Sequence, residues 1–367
     1  MKILFLGDYS NLHACLASVL KKRGHEVTVV SDGGRYMDTA RDILLDRRPG
    51  PFGSVKYFFD LLSVIPKIKG YDVVQLINPH FLRLRPEKLR YVFDLLKRRN
   101  GSVFLTLAGN DYHFVKACLD GGMFRFSEFK VGEETTEFER TVRRAAGWTG
   151  PGLGEYADYL YGQIDGAMSV LPEYDMASRP ALENRVAFTN LPVDLTNLPY
   201  KGIDTSRSPT IFIGMRGGME IQKGTAKLLE ISRDLERELP GRCRVECVTN
   251  LPLKEYLRRM GESHIVLDQL YSYSPGMNGL QAMALGKVSG TGAQPEYYSY
   301  LGDPVERPVF CLSPLEDVKD RLRELILDPE RMARMGEEGR RLVERNNDVE
   351  LVATRFENHW ERILSLK

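Results

Sequence analysis

The residues MKILFLGDYSNLHACLASVLKKRGHEVTVV, positions 1–30, decide the fold class. An apolar run at 3–6 ends in a glycine. From Leu12, apolar residues then recur at i, i+3, i+4 and i+7 spacing up to Gly24, which is a typical helix stop. A second apolar run follows at 26–30. This order of strand, helix and strand predicts a βαβ unit, and therefore a parallel sheet covered by helices.

The alternation of strands and helices continues along the chain. A helix is predicted from Ser54 through Ile68, with Pro66 as an earlier stop. Residues 120–154 break the pattern and are predicted to be an insertion or a mobile cover that contains one helix. Residues 195–209 are polar and rich in turn residues, which is typical of a domain linker, and the alternation restarts at residue 210. The pattern therefore predicts two doubly wound α/β domains.

Composition narrows the class of protein. A chain of 367 residues is long enough for two domains, and its net charge of +1 gives no general attraction for nucleic acid. No stretch approaches the ~20 apolar residues that span a bilayer, and no leader peptide is evident at the start. We expect a cytoplasmic protein that does not bind nucleic acid.

A glycine-rich loop in the second half offers the means to bind phosphate. The stretch FIGMRGGMEIQKGTAKLLE, positions 212–230, follows a predicted strand and opens a helix. It combines Gly214 with two cations, Arg216 and Lys223, beside a helix N-terminus. Phosphate is bound by exposed N–H groups, a helix dipole and a side-chain cation. A surface turn with solvated charges is the alternative interpretation.

A second glycine-rich stretch lies at 271–292, YSYSPGMNGLQAMALGKVSGTG, and passes from a loop into a predicted helix. Small residues at a loop-to-helix junction let backbone N–H groups approach a diphosphate closely. The same pattern is typical of a capped helix with one buried face, and the two interpretations are compatible. The candidate binding residues are Ser274, Gly276, Met277, Asn278 and Gly279.

These two loops resemble the nucleotide-sugar domain of family-four-type (group 1) glycosyltransferases with the GT-B architecture. That family has Gly-Arg and Lys-Gly before a helix, then a Glu-x7-Glu element ending in Glu-Ala-Met-Ala-x-Gly-Lys-Pro-Val. This chain has GMRGGMEIQKG and QAMALGKVSGTG there, and its first half is similar through MKILFLGDYSN, VVQLINP, TLAGND and NLPVD. The resemblance implies two Rossmann-like domains facing across a cleft, at 1–195 and 196–347, with a C-terminal helix at 348–367 packing back on the first.

The chain departs from the family at named positions. Tyr273 and Gln281 stand where the family has its two glutamates, and Ala108 stands where it often has a histidine. The Arg-to-Lys spacing is also two residues longer. The resemblance implies that the family's second glutamate position contacts the donor ribose and its first the donor sugar. The Gln281 amide can still bond a ribose hydroxyl, and Tyr273 or Asn278 is our candidate for the sugar contact. Glu296 is expected to cap or face the donor loop, and it also fits an acid stabilised by a helix N-terminus.

Polar residues at two strand ends are candidates for the acceptor side. Gly7 and Asp8 follow the first strand, and TLAGNDYHF brings Asn110, Asp111 and His113 to the end of another. Asp111 and Asp8 are candidates for acceptor binding or proton transfer. Asp111 equally fits the N-cap of the following helix. His113 lies in the first turn of that helix, where a lone histidine is more often a packing or surface residue.

The resemblance implies a hexosyltransferase-like enzyme that moves a sugar from a nucleotide-sugar donor to a glycan or lipid-linked acceptor in polysaccharide biosynthesis. It implies retention at the anomeric carbon and no cofactor. No metal is expected, because fixed cations and N–H groups offset the phosphate charge and the sequence has no Asp-x-Asp element. The alternatives are a non-catalytic GT-B homologue, favoured by the missing glutamates, and a sugar-nucleotide epimerase or phosphorylase.

Basic residues cluster in the first half of the chain, with apolar residues between them. Two interpretations stay open, a peripheral contact with the inner face of a membrane and ordinary solvated helix faces. The cluster consists of Lys67, Lys69, Arg83, Arg85, Lys88, Arg90, Lys97, Arg98 and Arg99.

Overall fold

The computed structural model describes residues 1–34, 37–135, 138–215 and 217–366, and the side chains of 135 and 138–140 lie outside that description. The chain divides into two compact units. Unit 1 comprises Met1–Lys116, Ala146–Pro192 and Val349–Lys367. Unit 2 comprises Ala117–Ala145 and Val193–Asp348.

Each unit is built on a parallel sheet, as the alternation predicts. Along the described chain the strands are β1 (Lys2–Leu6), β2 (Glu26–Ser31), β3 (Ile43–Leu44), β4 (Val73–Leu76), β5 (Ser102–Leu107), β6 (Lys130–Val131), β7 (Glu134–Thr135), β8 (Gly166–Ser169), β9 (Val186–Phe188), β10 (Thr210–Met215), β11 (Arg244–Thr249), β12 (Ile265–Leu267), β13 (Val288–Thr291) and β14 (Phe310–Cys311). The sheet of unit 1 has the order β3-β2-β1-β4-β5-β8-β9, and that of unit 2 has the order β11-β10-β12-β13-β14. The paired strands in both sheets are parallel.

Helices cover these sheets. They are α1 (Leu12–Lys22), α2 (Gly50–Val64), α3 (Pro86–Arg99), α4 (Tyr112–Asp120), α5 (Phe138–Thr149), α6 (Leu153–Gln163), α7 (Pro172–Leu182), α8 (Thr225–Glu238), α9 (Leu253–Glu262), α10 (Met277–Ala284), α11 (Pro295–Tyr300), α12 (Val318–Ile326), α13 (Pro329–Asn346) and α14 (Val349–Leu364). The central strands β4 and β5 are buried along their whole length, which a parallel sheet with helices on both faces requires.

The helix α2 begins earlier than predicted. It starts at Gly50, with a proline in its first turn whose fixed φ suits a helix N-terminus. Ser54 therefore lies inside the helix, where its hydroxyl donates to the Gly50 carbonyl at 3.2 Å instead of capping the N-terminus. The helix ends at Val64, before Pro66, as proline at that position requires.

Residues 117–145 belong to unit 2, although the predicted first domain at 1–195 was continuous. They contain the antiparallel pair of β6 and β7 and most of α5, so the irregular segment predicted at 120–154 has more regular structure than expected. The helix α6 then starts at Leu153. The unit boundary falls inside α4.

A chain of buried hydrogen bonds joins α14 to the end of β1 in unit 1. Trp360 Nε1 donates to Gln75 Oε1 at 2.9 Å, and Gln75 Nε2 donates to Thr106 Oγ1 at 2.9 Å. His13 Nδ1 lies 2.7 Å from the Gly7 carbonyl, and Nε2 lies 2.9 Å from Thr106 Oγ1. Because a carbonyl only accepts, Nδ1 carries the proton and the Thr106 hydroxyl donates to Nε2. Each hydrogen bond in this series therefore has a defined donor and acceptor.

The core of unit 2 lies between its sheet and the helices α8 and α12. Buried aliphatic residues of β10, β12 and β13 meet apolar side chains of both helices there. The members with no exposed surface are Ile211, Ile213, Leu228, Leu235, Ile265, Leu267, Val288, Leu312, Leu322 and Leu325.

Trp360→Phe should destabilise unit 1 more than Trp148→Phe. Trp360 is fully buried, so its loss leaves Gln75 Oε1 without its donor, which costs about 1–3 kcal/mol of unfolding free energy. Trp148 is half-buried and provides the matched control. Urea unfolding followed by far-ultraviolet circular dichroism gives both values. Equal unfolding free energies for the two variants would contradict a structural role for this hydrogen bond.

Candidate functional site

A cation and a helix N-terminus meet at the carboxyl end of β12. Lys223 Nζ lies 3.1 Å from Oδ1 of Asp268, the residue directly after that strand. A side chain at Gly276, the N-cap of α10, would approach Oδ2 of the same carboxylate to 3.8 Å. Asp268 is buried, whereas the Lys223 side chain is one-third exposed. The ammonium group and the first turn of α10 therefore lie close together at the surface of unit 2.

The start of α10 has the features that suit an anion. Its N-cap residue is a glycine in extended conformation and, within the described chain, makes no side-chain capping bond. The first-turn N–H groups of a helix carry its positive dipole end. Beneath the helix, Ser289 and Thr291 are buried, and their hydroxyls have no hydrogen-bond partner among the described residues.

Gly214 leaves room for a contact that holds the first turn of α10 in place. A Cβ at Gly214 would lie 2.1 Å from the hydroxyl of Tyr256, so only glycine lets that ring pack over the end of β10. The Tyr256 hydroxyl donates to Asn278 Oδ1 at 2.7 Å, which fixes the first turn of α10. Asn278, predicted as a sugar contact, thus has its amide oxygen engaged by Tyr256.

Tyr273 joins the loop before α10 to residues 124–126. Its hydroxyl accepts from the backbone N–H of Arg125 at 2.6 Å and of Phe126 at 3.4 Å. Its ring is stacked on Phe126 and lies edge-on to Phe124, with centroids 4.8 and 5.2 Å apart. The residue that stands in place of the family's first glutamate is therefore buried in contacts within its own unit.

Arg125 continues this contact on the side of α11. One guanidinium nitrogen, Nη2, lies 3.3 Å from Gln294 Oε1 and 3.1 Å from Glu296 Oε2. The guanidinium also lies over the Tyr273 ring, 5.6 Å from its centroid. Burial lowers the pKa of Arg125, but its interactions with Tyr273 and Glu296 outweigh that effect and leave the pKa above its ordinary value. Glu296 lies in the first turn of α11 and is paired with this cation.

The remaining predicted donor-side residues lie on the same loop and helix. Ser274 is buried, while Met277 and Gln281 are half-buried on α10. Gly279 lies against Ser289 and Thr291, where a Cβ would come within 3.0 Å of both. Arg216 lies outside the described residues.

On unit 1, Asp8 holds the loop after β1. Its Oδ1 accepts from the His13 backbone N–H at 2.9 Å, and its Oδ2 accepts from the Thr39 hydroxyl at 2.8 Å. Burial raises the pKa of the Asp8 carboxyl. Gly7, at a φ of 87°, could not carry a side chain, because a Cβ would lie 2.2 Å from Ile77. Both positions are engaged in forming the turn.

Asp111 has both carboxylate oxygens engaged. Oδ1 accepts from the Phe114 N–H at 2.8 Å, which is the N-cap bond of α4, and Oδ2 accepts from the Tyr161 hydroxyl at 2.6 Å. Burial, with a smaller effect of Asp111, raises the pKa of Tyr161 well above its ordinary value. Of the two roles predicted for Asp111, these contacts favour the helix cap.

Asn110 and His113 lie at the same strand end. The Asn110 carbonyl accepts from Asn78 Nδ2 at 3.2 Å, which ties the ends of β4 and β5 together. The His113 ring packs against Tyr161 with centroids 4.5 Å apart, and its Nε2 lies 3.3 Å from Asp158 Oδ1. These contacts match the packing interpretation of His113.

The described residues form neither a metal-binding cluster nor a membrane-spanning helix. Among them, no three His, Cys, Asp or Glu side chains are grouped so that they could hold a metal ion. Within the same residues, no helix combines the length and the apolar character needed to cross a membrane.

Comparison with known proteins gives similarity in structure and not in sequence. No protein-family model matches the chain, and no curated protein matches it significantly. A sucrose-phosphate synthase from Thermosynechococcus elongatus matches with a TM-score of 0.67 at 13% identity, over 100% of both chains. HepE from Anabaena, solved with UDP and glucose, matches at 0.61 and 14% identity, over 99% of this chain and 100% of that one. WaaG, a glycosyltransferase involved in lipopolysaccharide biosynthesis, matches at 0.57 and 13% identity, over 99% of each chain.

These matches define the class of fold. The chain has the GT-B fold, in which both α/β units take part, and the predicted fold class is confirmed. At such low identity the similarity establishes the fold alone, and function must come from the residues of the site.

Sequence reasoning missed three residues that shape this site. Asp268, Tyr256 and Arg125 bring Lys223, Asn278 and Glu296 into their positions. Asp268 had a detectable signal, because it directly follows an apolar strand. Tyr256 and Arg125 had none, since each acts through contacts with residues far along the chain.

As the pH is lowered, the unfolding free energy should decrease more steeply in the wild type than in a His13→Gln variant. Burial lowers the pKa of His13 from 6.5 to about 3. Below pH 6.5 the unfolded chain therefore binds a proton that the folded state does not, so the unfolding free energy decreases toward pH 3. The slope lost in the variant should reach about 1.4 kcal/mol per pH unit. Urea titrations from pH 7 to 5 measure it, and parallel slopes would contradict a neutral buried His13.

Tyr273→Phe should loosen the segment 117–145 locally. The variant keeps the ring contacts but leaves the Arg125 backbone N–H without this acceptor. The loss should lower the free energy of local unfolding by about 1–3 kcal/mol. Amide hydrogen exchange at Arg125 and Phe126 should accelerate by roughly ten- to a hundredfold. Tyr200→Phe, on an exposed ring of the same unit, is the control and should leave both amides unchanged. Unchanged protection in Tyr273→Phe would show that the hydroxyl does not anchor the segment.

Proposed function

We propose that this protein is a glycosyltransferase that moves a sugar from a nucleotide-sugar donor to a glycan or lipid-linked acceptor. The observation that carries the proposal is the meeting of Lys223 and the N-terminus of α10 at Asp268, on the carboxyl edge of a parallel sheet. Ligands of open α/β sheets bind at this edge. The structural neighbours support the reaction class, because they include a glycosyltransferase, WaaG, and proteins solved in complex with UDP or ADP.

The donor diphosphate fits the start of α10. Its negative charge would be offset by the dipole of the helix and by the Lys223 ammonium, which is exposed enough to turn from Asp268 toward a ligand. Arg216, as predicted, would supply a second cation. Gln281, one turn into α10, remains the proposed partner of the donor ribose.

The sugar contact cannot be made by Tyr273 in the way a glutamate makes it, because the Tyr273 hydroxyl is bonded to the backbone of Arg125 and Phe126. We therefore propose that the polar groups next to it, on Arg125 and Glu296, border the sugar. These two side chains are half-exposed or less and form one ion pair. UDP-glucose is the first donor to test, because it is bound in a solved structure of HepE.

Acceptor recognition is proposed for the carboxyl edge of unit 1. Asp8 and Asp111 shape the loops after β1 and β5 there, and Asn110 directly precedes Asp111. Since both carboxylates are fully engaged, we assign them to positioning these loops. Catalysis would then rest on orientation of the acceptor hydroxyl and on stabilisation of the leaving diphosphate.

The proposal includes two further features of the reaction, retention at the anomeric carbon and independence of metal and cofactor. Lys223 and the helix N-terminus supply the positive charge that a metal would otherwise provide. The anomeric configuration of the product, read by nuclear magnetic resonance, and activity in the presence of a chelator test these features separately.

A second candidate function is a GT-B protein without catalytic activity. The observation that favours it concerns Tyr273, which stands where the family has a glutamate. Its hydroxyl accepts from the Arg125 N–H and its ring stacks on Phe126, so both are occupied by structural contacts. Such a protein would bind no donor, or would bind it without transferring the sugar. Release of UDP from UDP-glucose, measured with and without candidate acceptors, separates the two functions.

Lys223→Ala should weaken binding of UDP and UDP-glucose by roughly ten- to a hundredfold, because a charge-assisted contact to phosphate is lost. Thermal shift titrations without metal measure this, since a ligand that binds only the folded state raises its stability. Lys227→Ala removes an exposed cation from α8, one turn beyond Lys223, and should leave the titration unchanged.

The comparison uses the shift caused by ligand, not the melting temperature itself, because Lys223→Ala also leaves the buried Asp268 without its ion pair. A wild-type protein that shows no shift with UDP, GDP or ADP nucleotides would overturn the donor site. An equal shift in the wild type and in Lys223→Ala would show that the nucleotide binds elsewhere.

A further inference from the structure

The outer face of α2 is apolar and exposed. Five of its large hydrophobic side chains lie in solvent, with exposed fractions from 49% for Leu62 to 90% for Phe52. They recur at spacings of three and four, so they share one face of the helix. Contiguous apolar surface of this kind marks an interaction site in a folded protein. The residues of this face are Phe52, Val55, Phe58, Phe59 and Leu62.

The opposite face of α2 already packs on unit 1. Tyr57, Leu61 and Val64 are buried, and the Tyr57 hydroxyl accepts from the Arg83 N–H at 3.1 Å. The exposed apolar face is therefore not required for the core, and the helix is held firmly with that face turned outward. Its aromatic side chains also form a cluster, since the rings of Phe58 and Phe59 lie 5.8 Å apart.

Basic residues surround the apolar face. From 47 to 69 the chain contains five basic residues and one acidic residue, Asp60, which is paired with Lys56. Exposed cations stand at both ends of α2, and an amphipathic helix with aromatic residues on one side and Lys or Arg around it binds the interface of a membrane. The flanking cations are Arg47, Arg48, Lys67 and Lys69.

A cavity of about 500 Å³ opens at the N-terminal end of the same helix. Arg47, Arg48 and Arg83 line it, together with Ser54 and one carboxylate, Asp46. Arg47 bonds to the Arg83 carbonyl and to the Ser54 hydroxyl at 3.0 and 3.1 Å, which fixes the wall. Because Arg83 is ion-paired with Asp32, the exposed guanidinium groups of Arg47 and Arg48 are the cations that this wall offers to a ligand. Cations beside an apolar face match the arrangement of a lipid, with an anionic headgroup next to acyl chains.

We propose that α2 is a membrane-docking helix, which lies on an anionic lipid surface with Phe52, Phe58 and Phe59 among the acyl chains. A second copy of this chain is a poorer occupant, because two such faces would bring their basic rims together. The proposal does not depend on sugar transfer, so it stands or falls by membrane binding alone.

Sedimentation with vesicles tests the proposal on the full chain. The protein should bind vesicles of phosphatidylcholine with phosphatidylglycerol, and binding should weaken at high salt. The Phe58→Ser, Phe59→Ser double variant should partition at least about tenfold more weakly, because both rings lose their apolar burial in the lipid. Lys67→Gln with Lys69→Gln should also weaken binding roughly tenfold or more, since each cation near an anionic surface contributes to attraction.

Matched controls separate docking from folding and from total charge. Lys227→Gln with Lys254→Gln removes the same charge from exposed positions on unit 2 and should change binding by less than about twofold. Because Phe58 and Phe59 are already exposed, their double variant should keep the melting temperature of the wild type.

Three outcomes would overturn the proposal. The wild type would stay in solution with both neutral and anionic vesicles, or the Phe58→Ser, Phe59→Ser variant would bind as well as the wild type. In the third, analytical ultracentrifugation would show a dimer that this variant dissociates, with no vesicle binding by either protein. That result would assign the face to a second copy of the chain.

Discussion

Both units depend on one constraint, which is that a parallel strand must be covered on both of its faces. The strands β4, β5, β12 and β13 are buried along their whole length, so their side chains fill the core and are closed to ligands. Polar groups that are to meet a ligand must therefore follow the strands at the carboxyl edge. Asp268 comes directly after β12, and Asp8 comes shortly after β1. Helix N-termini gather at the same edge, which combines their positive dipole ends with these loops.

Much of the fold could be predicted because this constraint leaves a local signature. The residues at 1–30 carry a period that changes from strand to helix and back, and the structure has β1, α1 and β2 there. The start of α10 could also be predicted, since glycine-rich residues after an apolar strand predict a helix entered through a small-residue loop. The N-terminus of α2 was misplaced because Ser54 has the chemistry of a cap, whereas the proline in the first turn determines the start.

The remainder could not be predicted because it rests on contacts between distant residues. Nothing near Tyr273 in the chain indicates that its hydroxyl accepts from Arg125, 148 residues away in sequence, or that 117–145 belongs to unit 2. Asp111 fits two roles in the sequence, because its bond from the Tyr161 hydroxyl comes from a residue 50 positions further on. The apolar residues of α2 gave the opposite difficulty. Their pattern predicts burial, but only the tertiary structure separates the face that is buried from the face that is exposed.

The most direct test of the account is a crystal structure of the protein grown with UDP, without added metal. We predict diphosphate oxygens within hydrogen-bond distance of Lys223 Nζ and of the first-turn N–H groups of α10, above the buried Asp268, Ser289 and Thr291. That result would place the donor on unit 2 and give a physical reason for glycine at positions 276 and 279. A nucleotide held by other residues, or no bound nucleotide at saturating concentration, would contradict the central claim that this loop and helix form a nucleotide-sugar site.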